Sequence, residues 1–272
     1  MTRTVAEKRQ AFRALHAAGC FVMPNPWDVG SALALQSLGF PALASTSAGM
    51  AWSMGRPDNK VSLEDVLAHL SALTGRLDIP LNADFENGFA DDPEGVARHV
   101  VLAVETGVAG LSVEDSTGLA PTPLYDFDLA VARIAAARAA IDAVDPLVVL
   151  TARSEGFICG RPDLTETIRR LQAYAAAGAD CLYAPGLREE SQITAVIQAV
   201  APKPVNILTP GLPVSTLAAL GTRRISVGGS LARAAWGEFM RTARDIADQG
   251  SFAAFGRGLP GSELNRLFAD PA

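Results

Sequence analysis

The chain has 272 residues, of which 49% are hydrophobic and 19% are charged, and its formal net charge is −6. This length and composition fit one large domain with a substantial core, and we expect residues 1–272 to form a single domain. An acidic balance without a lysine or arginine cluster argues against nucleic acid as a partner.

No run approaches the roughly 20 apolar residues that a membrane span needs, so we expect no membrane association. The N-terminus lacks the apolar core of a signal peptide, and the three cysteines are scattered, at Cys20, Cys159 and Cys181. Neither a disulfide framework nor a zinc site is indicated by that spacing. A cytoplasmic protein is the expectation.

Four segments share one pattern, in which a helix end, a glycine and an aliphatic strand follow one another. The glycines are Gly39, Gly107, Gly178 and Gly221. Glycine just after a helix can adopt a positive φ angle and cap the exposed carbonyl groups before the chain turns into a strand. The repetition indicates helices that alternate with parallel strands.

Eight strands are predicted, at Cys20–Met23, Ala42–Ser45, Leu81–Asp84, Gly110–Glu114, Val148–Ala152, Cys181–Ala184, Val205–Leu208 and Arg224–Val227. Between them we predict helices near Val29–Leu38, Leu63–Leu77, Asp92–Glu105, Asp128–Ala143, Leu164–Ala177, Glu189–Ala201 and Val214–Leu220. A helix at Val5–Ala18 precedes the first strand. The C-terminal helical segment at 231–268 holds a helix from about Leu231 to Gln249, then a looser tail with a short helical piece at Ser262–Phe268. Eight βα units in about 250 residues predict an α/β fold, a (β/α)8 TIM barrel over residues 20–230. An open doubly wound sheet is the alternative, but residues 24–28 lack its glycine-rich fingerprint.

Charged side chains follow three of these strands at their carboxyl ends, where TIM barrels build active sites. They are Asp84 and Glu86, then Glu114 and Asp115, then Arg153 and Glu155, and Ser45, Thr46, Ser47 and Asp58 follow the second strand. Carboxylates crowded at low dielectric repel one another, and a divalent cation relieves the repulsion. Ligands that are all oxygen favour Mg²⁺ or Mn²⁺ over zinc. The alternative is that each acid only caps the next helix.

The remaining reactive side chains point to structural roles. His16, His69 and His99 fall inside predicted helices, which argues against a Ser-His-Asp triad and a His-ligated metal. Cys181 lies within a predicted strand and is interpreted as a core residue. Tyr125 is the one side chain of acidic character in residues 116–125 after the fourth strand, and packing is the interpretation favoured for it.

Five motifs, in register over residues 21–268, resemble the isocitrate lyase/phosphoenolpyruvate mutase superfamily. They are Ala44–Gly49, Asp58, Asn82-Ala-Asp84, Val113-Glu114-Asp115 and Ala152-Arg153. The resemblance implies a modified TIM barrel whose C-terminal helix is swapped between subunits of a homotetramer or dimer. It also implies Mg²⁺ held directly or through water at Asp58, Asp84 and Glu114.

The same resemblance implies how a substrate is bound. The carboxylate of a small 2-oxo or 2-hydroxy acid is expected on Ser45, Thr46 and Ser47, with Asp84 also beside the substrate. Arg153 matches the arginine that stabilises charge on the substrate. With Arg153, we assign Asp58 and Glu114 as catalytic residues.

Three departures from the family pattern bear on the reaction. Asn82 stands where the superfamily usually has the first acid of Asp-x-Asp, and Glu86 is the candidate replacement as a further metal ligand. The segment at 115–126 lacks the Lys-Lys-Cys-Gly-His loop of isocitrate and methylisocitrate lyases. Ser116 occupies the position of a lysine found in the mutase and in phosphonopyruvate hydrolase.

Superfamily chemistry passes through an enolate that Mg²⁺ and the arginine stabilise. The sequence therefore predicts a Mg²⁺-dependent lyase or decarboxylase that cleaves a C–C bond of a small 2-oxo or 2-hydroxy dicarboxylic acid through a pyruvate-like enolate. One alternative is P–C chemistry of the phosphonopyruvate hydrolase or phosphoenolpyruvate mutase type. Another is a protein that binds 2-oxo acids without turning them over.

Overall fold

The computed structural model describes residues 3–209 and 211–269. Its eight strands form one parallel sheet: β1 Phe21–Met23, β2 Leu43–Ala44, β3 Leu81–Asp84, β4 Gly110–Glu114, β5 Val149–Arg153, β6 Cys181–Tyr183, β7 Val205–Leu208 and β8 Arg224–Ser226. The strands pair in the order β1-β8-β7-β6-β5-β4-β3-β2. Between the two ends of this order, the Ala44 N–H donates to the Pro24 carbonyl at 3.1 Å. The sheet therefore closes nearly completely, and the predicted TIM barrel is confirmed.

Eleven α-helices surround and extend the sheet in the described part of the chain. They are α1 Val5–Ala17, α2 Val29–Ser37, α3 Ser47–Ser53, α4 Leu63–Thr74, α5 Pro93–Glu105, α6 Phe127–Val144, α7 Leu164–Ala176, α8 Glu190–Val200, α9 Val214–Ala219, α10 Ser230–Gln249 and α11 Gly261–Phe268. Two helical pieces were not predicted: α3, and a 3₁₀ turn at Ala253–Arg257. Both are too short to show a helical period in the sequence. Within residues 3–209 and 211–269, no helix is long and apolar enough to cross a membrane.

Local signals in the sequence set the helix ends. The Ser62 hydroxyl accepts the Asp65 N–H at 3.1 Å at the start of α4. At the start of α5, the Asp92 carboxylate accepts the Gly95 N–H at 2.7 Å, with Pro93 at the first helical position. The four predicted helix-ending glycines all have positive φ angles, from +82° to +104°. Each turn from helix to strand is thus made where the sequence indicates.

Helix α1 closes the barrel at the amino ends of the strands. Phe12 is fully buried beneath the sheet, and a Cβ atom at Gly110 would lie only 2.7 Å from its ring. Arg9 pairs with Asp145 at 2.6 Å, and Lys8 donates to the Leu77 carbonyl at 2.5 Å, so the helix is fixed at both edges. The open end of the barrel is therefore the end that carries the predicted site.

Helix α10 and the segment after it present an apolar surface to solvent. Ala232 is the residue of α10 that is buried, whereas Trp236 and Phe239 are 40% and 58% exposed. Phe252 and Phe255, in and beside the 3₁₀ turn, are 61% and 60% exposed. This is the segment that the superfamily resemblance assigns to an exchange between subunits, and that exchange stays a prediction.

Candidate active site

A cavity of about 210 Å³ opens at the carboxyl ends of the strands. Six of the predicted site residues line it: Ser45, Thr46, Ser47, Asp58, Asp84 and Arg153. The other two, Glu86 and Glu114, line a neighbouring cavity of about 340 Å³ together with residues 116–119. The barrel thus gathers all eight predicted residues at one end, but they line two cavities that are separated by a dividing group.

The dividing group is the guanidinium of Arg153, the last residue of β5. Its Nη1 lies 2.6 Å from Asp84 Oδ1, and its Nη2 lies 3.3 Å from Glu114 Oε2. Both Nε and Nη2 lie 2.9 Å from Glu155 Oε1. Glu114 and Arg153 are paired across β4 and β5, so their side chains leave the sheet on the same face. Arg153 is therefore the cation that holds three carboxylates together.

Asp84 also fastens the loop between β2 and α3. Its Oδ2 accepts hydrogen bonds from the Ser47 N–H and the Ser47 hydroxyl, both at 3.1 Å. The Asp84 N–H in turn donates to the Ser45 hydroxyl at 2.8 Å. The Thr46 hydroxyl accepts the Gly49 N–H and caps α3. Each of these three hydroxyls is thus engaged within the protein. Their predicted role in binding the substrate stays a prediction.

The acids of the site carry more negative charge than Arg153 neutralises. Burial raises the pKa of Glu114 well above its usual value, and the neighbouring Glu155 adds to the effect. Burial and the charges of Asp84 and Asp58 raise the pKa of Glu86 to about 8. The pKa of Asp58 is also raised, by partial burial of its carboxyl and by Asp84, although the residue as a whole remains exposed. In each case burial of the carboxyl is the larger cause, and repulsion by a neighbouring carboxylate is the next.

The donor set fits Mg²⁺, although no cage of acids is formed. Among the described residues, no group of three or more His, Cys, Asp or Glu is arranged to hold a metal ion. Mg²⁺ commonly takes only one or two carboxylates and keeps several waters, so such a cage is not required. Glu86 Oε1 is buried and has no hydrogen-bond partner among the described residues. The assignment of Asp58, Asp84, Glu86 and Glu114 to Mg²⁺ therefore stays a prediction that this donor set supports.

Asp115 does not join the other acids, so the expectation that it follows its strand into the site is wrong. Its Oδ2 accepts from Tyr174 Oη at 2.7 Å and from Arg170 Nη1 at 3.1 Å. Successive residues of a strand point to opposite faces, so Glu114 faces the site while Asp115 faces α7. Asp115 Oδ1 accepts the Glu155 N–H at 2.8 Å. Asp115 thus positions the backbone of a residue that holds Arg153.

Tyr125 is a packing residue, as the favoured interpretation has it. It is 6% exposed, and its hydroxyl donates to Asp91 at 2.5 Å. Arg133 stacks over its ring at 3.8 Å from the centroid. Tyr125 lines neither of the two cavities described above. The segment at 115–126 therefore brings no acidic side chain of its own into the site.

Several residues that line the cavity were missed from the sequence, among them Tyr183, Asn206 and Arg224. They are paired in register across β6, β7 and β8, so they line the barrel interior as one row. The Arg153 guanidinium lies 5.0 Å from the Tyr183 ring centroid, which makes Tyr183 one wall of the site. These strands were predicted, and the alternation of side chains between the two faces of a strand would have placed all three residues on the inner face.

The barrel places an arginine–carboxylate cluster at the carboxyl ends of its strands, which is where enzymes of this fold carry their active sites. The sequence profile of the family described as phosphoenolpyruvate phosphomutase matches residues 12–247. The chain therefore belongs to the phosphoenolpyruvate phosphomutase family, and the predicted superfamily is confirmed. Members of this superfamily are carbon–carbon lyases and mutases, and the chain is an enzyme of this type.

Two relatives cover most of the chain. An uncharacterised protein of Mycobacterium tuberculosis strain H37Rv is 33% identical over 263 residues, 96% of each chain. The oxaloacetate decarboxylase of Paraburkholderia xenovorans is 31% identical over 231 residues, which are 80% of this chain and 74% of that enzyme.

Solved structures share the fold over nearly the full length. A Burkholderia cenocepacia J2315 protein, provisionally assigned as a lyase/mutase, has a TM-score of 0.95 and 48% identity over 98% of this chain and 97% of its own. Oxaloacetate acetylhydrolase with the inhibitor 3,3-difluorooxaloacetate has a TM-score of 0.86 and 27% identity, over 96% and 92% of the two chains. Phosphonopyruvate hydrolase with oxalate and Mg²⁺ has a TM-score of 0.85 and 27% identity, over 96% and 94%.

Substitution of Arg153 tests its role as the cation of the site. Arg153→Met leaves three carboxylates facing one another, so we expect the free energy of unfolding to fall by about 3–5 kcal/mol in urea titrations with EDTA. Arg56→Met removes an exposed pair with Asp65 and should cost less than about 1 kcal/mol. An Arg153→Met protein as stable as the wild type in EDTA would contradict the assignment.

Proposed function

We propose that the protein is a Mg²⁺-dependent lyase or decarboxylase. It cleaves a C–C bond of a small 2-oxo or 2-hydroxy dicarboxylic acid through a pyruvate-like enolate. The observation that carries the proposal is the Arg153 guanidinium, held at the cavity by Asp84, Glu114 and Glu155. Family membership supports the broader class, in which C–C or P–C bonds beside an enolate are broken.

Arg153 is positioned to stabilise charge that develops on the substrate. When the bond to C3 breaks, its electron pair moves into the enolate and negative charge accumulates on the C2 oxygen. A guanidinium already oriented by Glu155 donates to that oxygen without reorganising, which is the most effective form of electrostatic stabilisation. Mg²⁺ bound at the carboxylates would supply further stabilisation of the same oxyanion.

The start of α3 offers a place for the substrate carboxylate beside Arg153. The N–H groups of Ser47 and Gly49 donate to Asp84 and Thr46. The N–H of Ala48 has no acceptor among the described residues, and Ala48 lines the cavity. A backbone N–H of this kind can donate a hydrogen bond to an anion at little cost. This supports a place for the substrate carboxylate next to residues 45–47.

A substrate screen tests the reaction directly. Oxaloacetate, methylisocitrate, dimethylmalate and phosphonopyruvate are offered to the full-length protein with Mg²⁺ and with Mn²⁺, and release of pyruvate is measured. We expect turnover of at least one dicarboxylate, since the carboxylates and Arg153 match enolate chemistry. Turnover of phosphonopyruvate alone would favour the P–C alternative. Ligand binding without turnover of any of the four would favour the non-catalytic alternative.

Asp84→Asn tests the metal assignment within the same assay. The amide keeps the shape of the side chain but removes a charge, so we expect Mn²⁺ binding to be abolished. Binding is measured as the decrease in the EPR signal of free Mn²⁺. Activity with the identified substrate should fall at least about a hundredfold. Asp142→Asn, an exposed acid on α6, is the matched control and should change neither. Full Mn²⁺ binding by Asp84→Asn would exclude Asp84 as a ligand.

We also infer that the protein is a homo-oligomer in which α10 packs on a neighbouring subunit. Support comes from the exposed Trp236 and Phe239, because apolar patches of this kind usually mark interfaces. Light scattering after gel filtration should give a dimer or tetramer for the wild type and a smaller species for Phe239→Ser. Leu102→Ser, at an exposed leucine on α5, should leave the mass unchanged. A wild-type protein with the mass of one chain would overturn this inference.

A further inference from the structure

Arg224 is a buried cation at the floor of the active-site cavity. It lies on β8, is 1% exposed, and lines the same cavity as Asp84 and Arg153. Nothing in the proposed reaction uses it. A fully buried guanidinium is costly unless its charge is compensated, so its partners decide what it does.

All the partners of Arg224 are neutral. Nε donates to Asn206 Oδ1 at 2.9 Å, and Nη2 donates to Thr151 Oγ1 at 3.0 Å. Nη1 lies 3.3 Å from His16 Nε2. Among the described residues, no carboxylate lies within 4 Å of Arg224, and three of its five N–H groups are accounted for by these contacts.

His16 does not supply a negative charge or compete with an anion. Its Nδ1 lies 2.7 Å from the Phe12 carbonyl, so Nδ1 carries the proton and Nε2 is left as an acceptor for Arg224. Burial and the charge of Arg224 lower the pKa of His16 to about 3, which keeps the ring neutral. Arg224 is therefore the one charged group at the closed end of the cavity among the residues that line it.

The cavity is consequently polarised. Asp58 and Asp84 lie at its mouth, where Arg153 is already committed to three carboxylates. Arg224, the other cation that lines the cavity, has no oppositely charged partner among the described residues. Its volume of about 210 Å³ is far more than the roughly 10–15 Å³ that one water requires. An anionic group that reaches the floor of the cavity is thus attracted to Arg224.

We propose that Arg224 is an anion-binding subsite that takes a carboxylate or another small anion, with Asn206 holding the guanidinium in place. In the dicarboxylate reaction proposed above, on which this part of the assignment rests, Arg224 binds the second carboxylate while the 2-oxo end lies beside Arg153. The subsite then selects dicarboxylates over monocarboxylates. A free halide ion bound to Arg224 would supply the same negative charge in place of a carboxylate.

Paired ligands test the subsite on the full-length, Mg²⁺-loaded protein. Calorimetry compares oxalate, which is short enough to stay at the mouth, with 3,3-difluorooxaloacetate, whose chain extends further. Arg224→Gln should lower the affinity for 3,3-difluorooxaloacetate at least about tenfold, as expected for a lost hydrogen bond to a charged group. The affinity for oxalate should fall less than twofold. Arg224→Lys retains the charge and should recover part of the affinity.

Arg133→Gln is the matched control for loss of a buried arginine. Arg133 is also 1% exposed and has neutral partners, the carbonyl groups of Ala90, Asp91 and Asn87, but it lines no part of this cavity. Its substitution should leave the ratio of the two affinities unchanged. An equal loss of both ligands in Arg224→Gln would mean a structural role and would overturn the proposal for the substrate.

Bromide identifies a free anion independently of the reaction. Wild-type crystals soaked in sodium bromide should show an anomalous peak beside Arg224, and bromide should raise the melting temperature of the wild type but not of Arg224→Gln. If neither organic acid binds the wild type and bromide does, the subsite stands and the proposed reaction fails. No bromide beside Arg224, together with unchanged ligand preference in both Arg224 variants, would overturn the subsite.

Discussion

The pairing of one guanidinium with three carboxylates is the interaction on which this site depends. Asp84, Glu114 and Glu155 come from the ends of three neighbouring strands, and each meets Arg153 within 2.6–3.3 Å. Removed from water, these carboxylates would repel one another strongly. Arg153 makes their proximity possible, and the negative charge that it leaves uncompensated is a reason to propose a bound cation. The same group is thus the structural centre of the site and, in the proposed reaction, the cation that stabilises the enolate.

The barrel supplies the geometry that this pairing requires. Parallel strands in register place Glu114 beside Arg153, and α1 closes the opposite end with Phe12. Behind the site, Asp115 accepts hydrogen bonds from Arg170 and Tyr174 and fixes the backbone of Glu155. The charged groups therefore stand on strands and on anchored backbone, which limits the reorganisation needed during a reaction.

Most of the fold was predictable because its signals are local. The glycines after the helices, the capping residues Ser62 and Asp92, and the aliphatic strands each act within a few residues of where they stand. The gathering of Asp84, Glu114 and Arg153 was predictable for a related reason, since the carboxyl ends of parallel strands meet at one end of a barrel. Helix α3, at seven residues, was too short to show a period.

What the sequence leaves open depends on contacts between distant segments. That Arg153 separates Asp84 from Glu114 follows from side-chain directions on three strands, which no local pattern specifies. Arg224 reads as an ordinary polar residue of a strand until β8 is closed against β1 and α1 brings His16 beneath it. On α10, Trp236 and Phe239 likewise remain 40% and 58% exposed in the described part of the chain.

A crystal structure with Mn²⁺ and oxalate tests the central claim, that Arg153 holds a site for a metal and a small acid. Anomalous scattering should place Mn²⁺ at the mouth of the cavity, within direct or single-water reach of Asp84, with Arg153 donating to oxalate. A mouth free of Mn²⁺ and oxalate at saturating concentrations, with Arg153 still bound only to Asp84, Glu114 and Glu155, would contradict it.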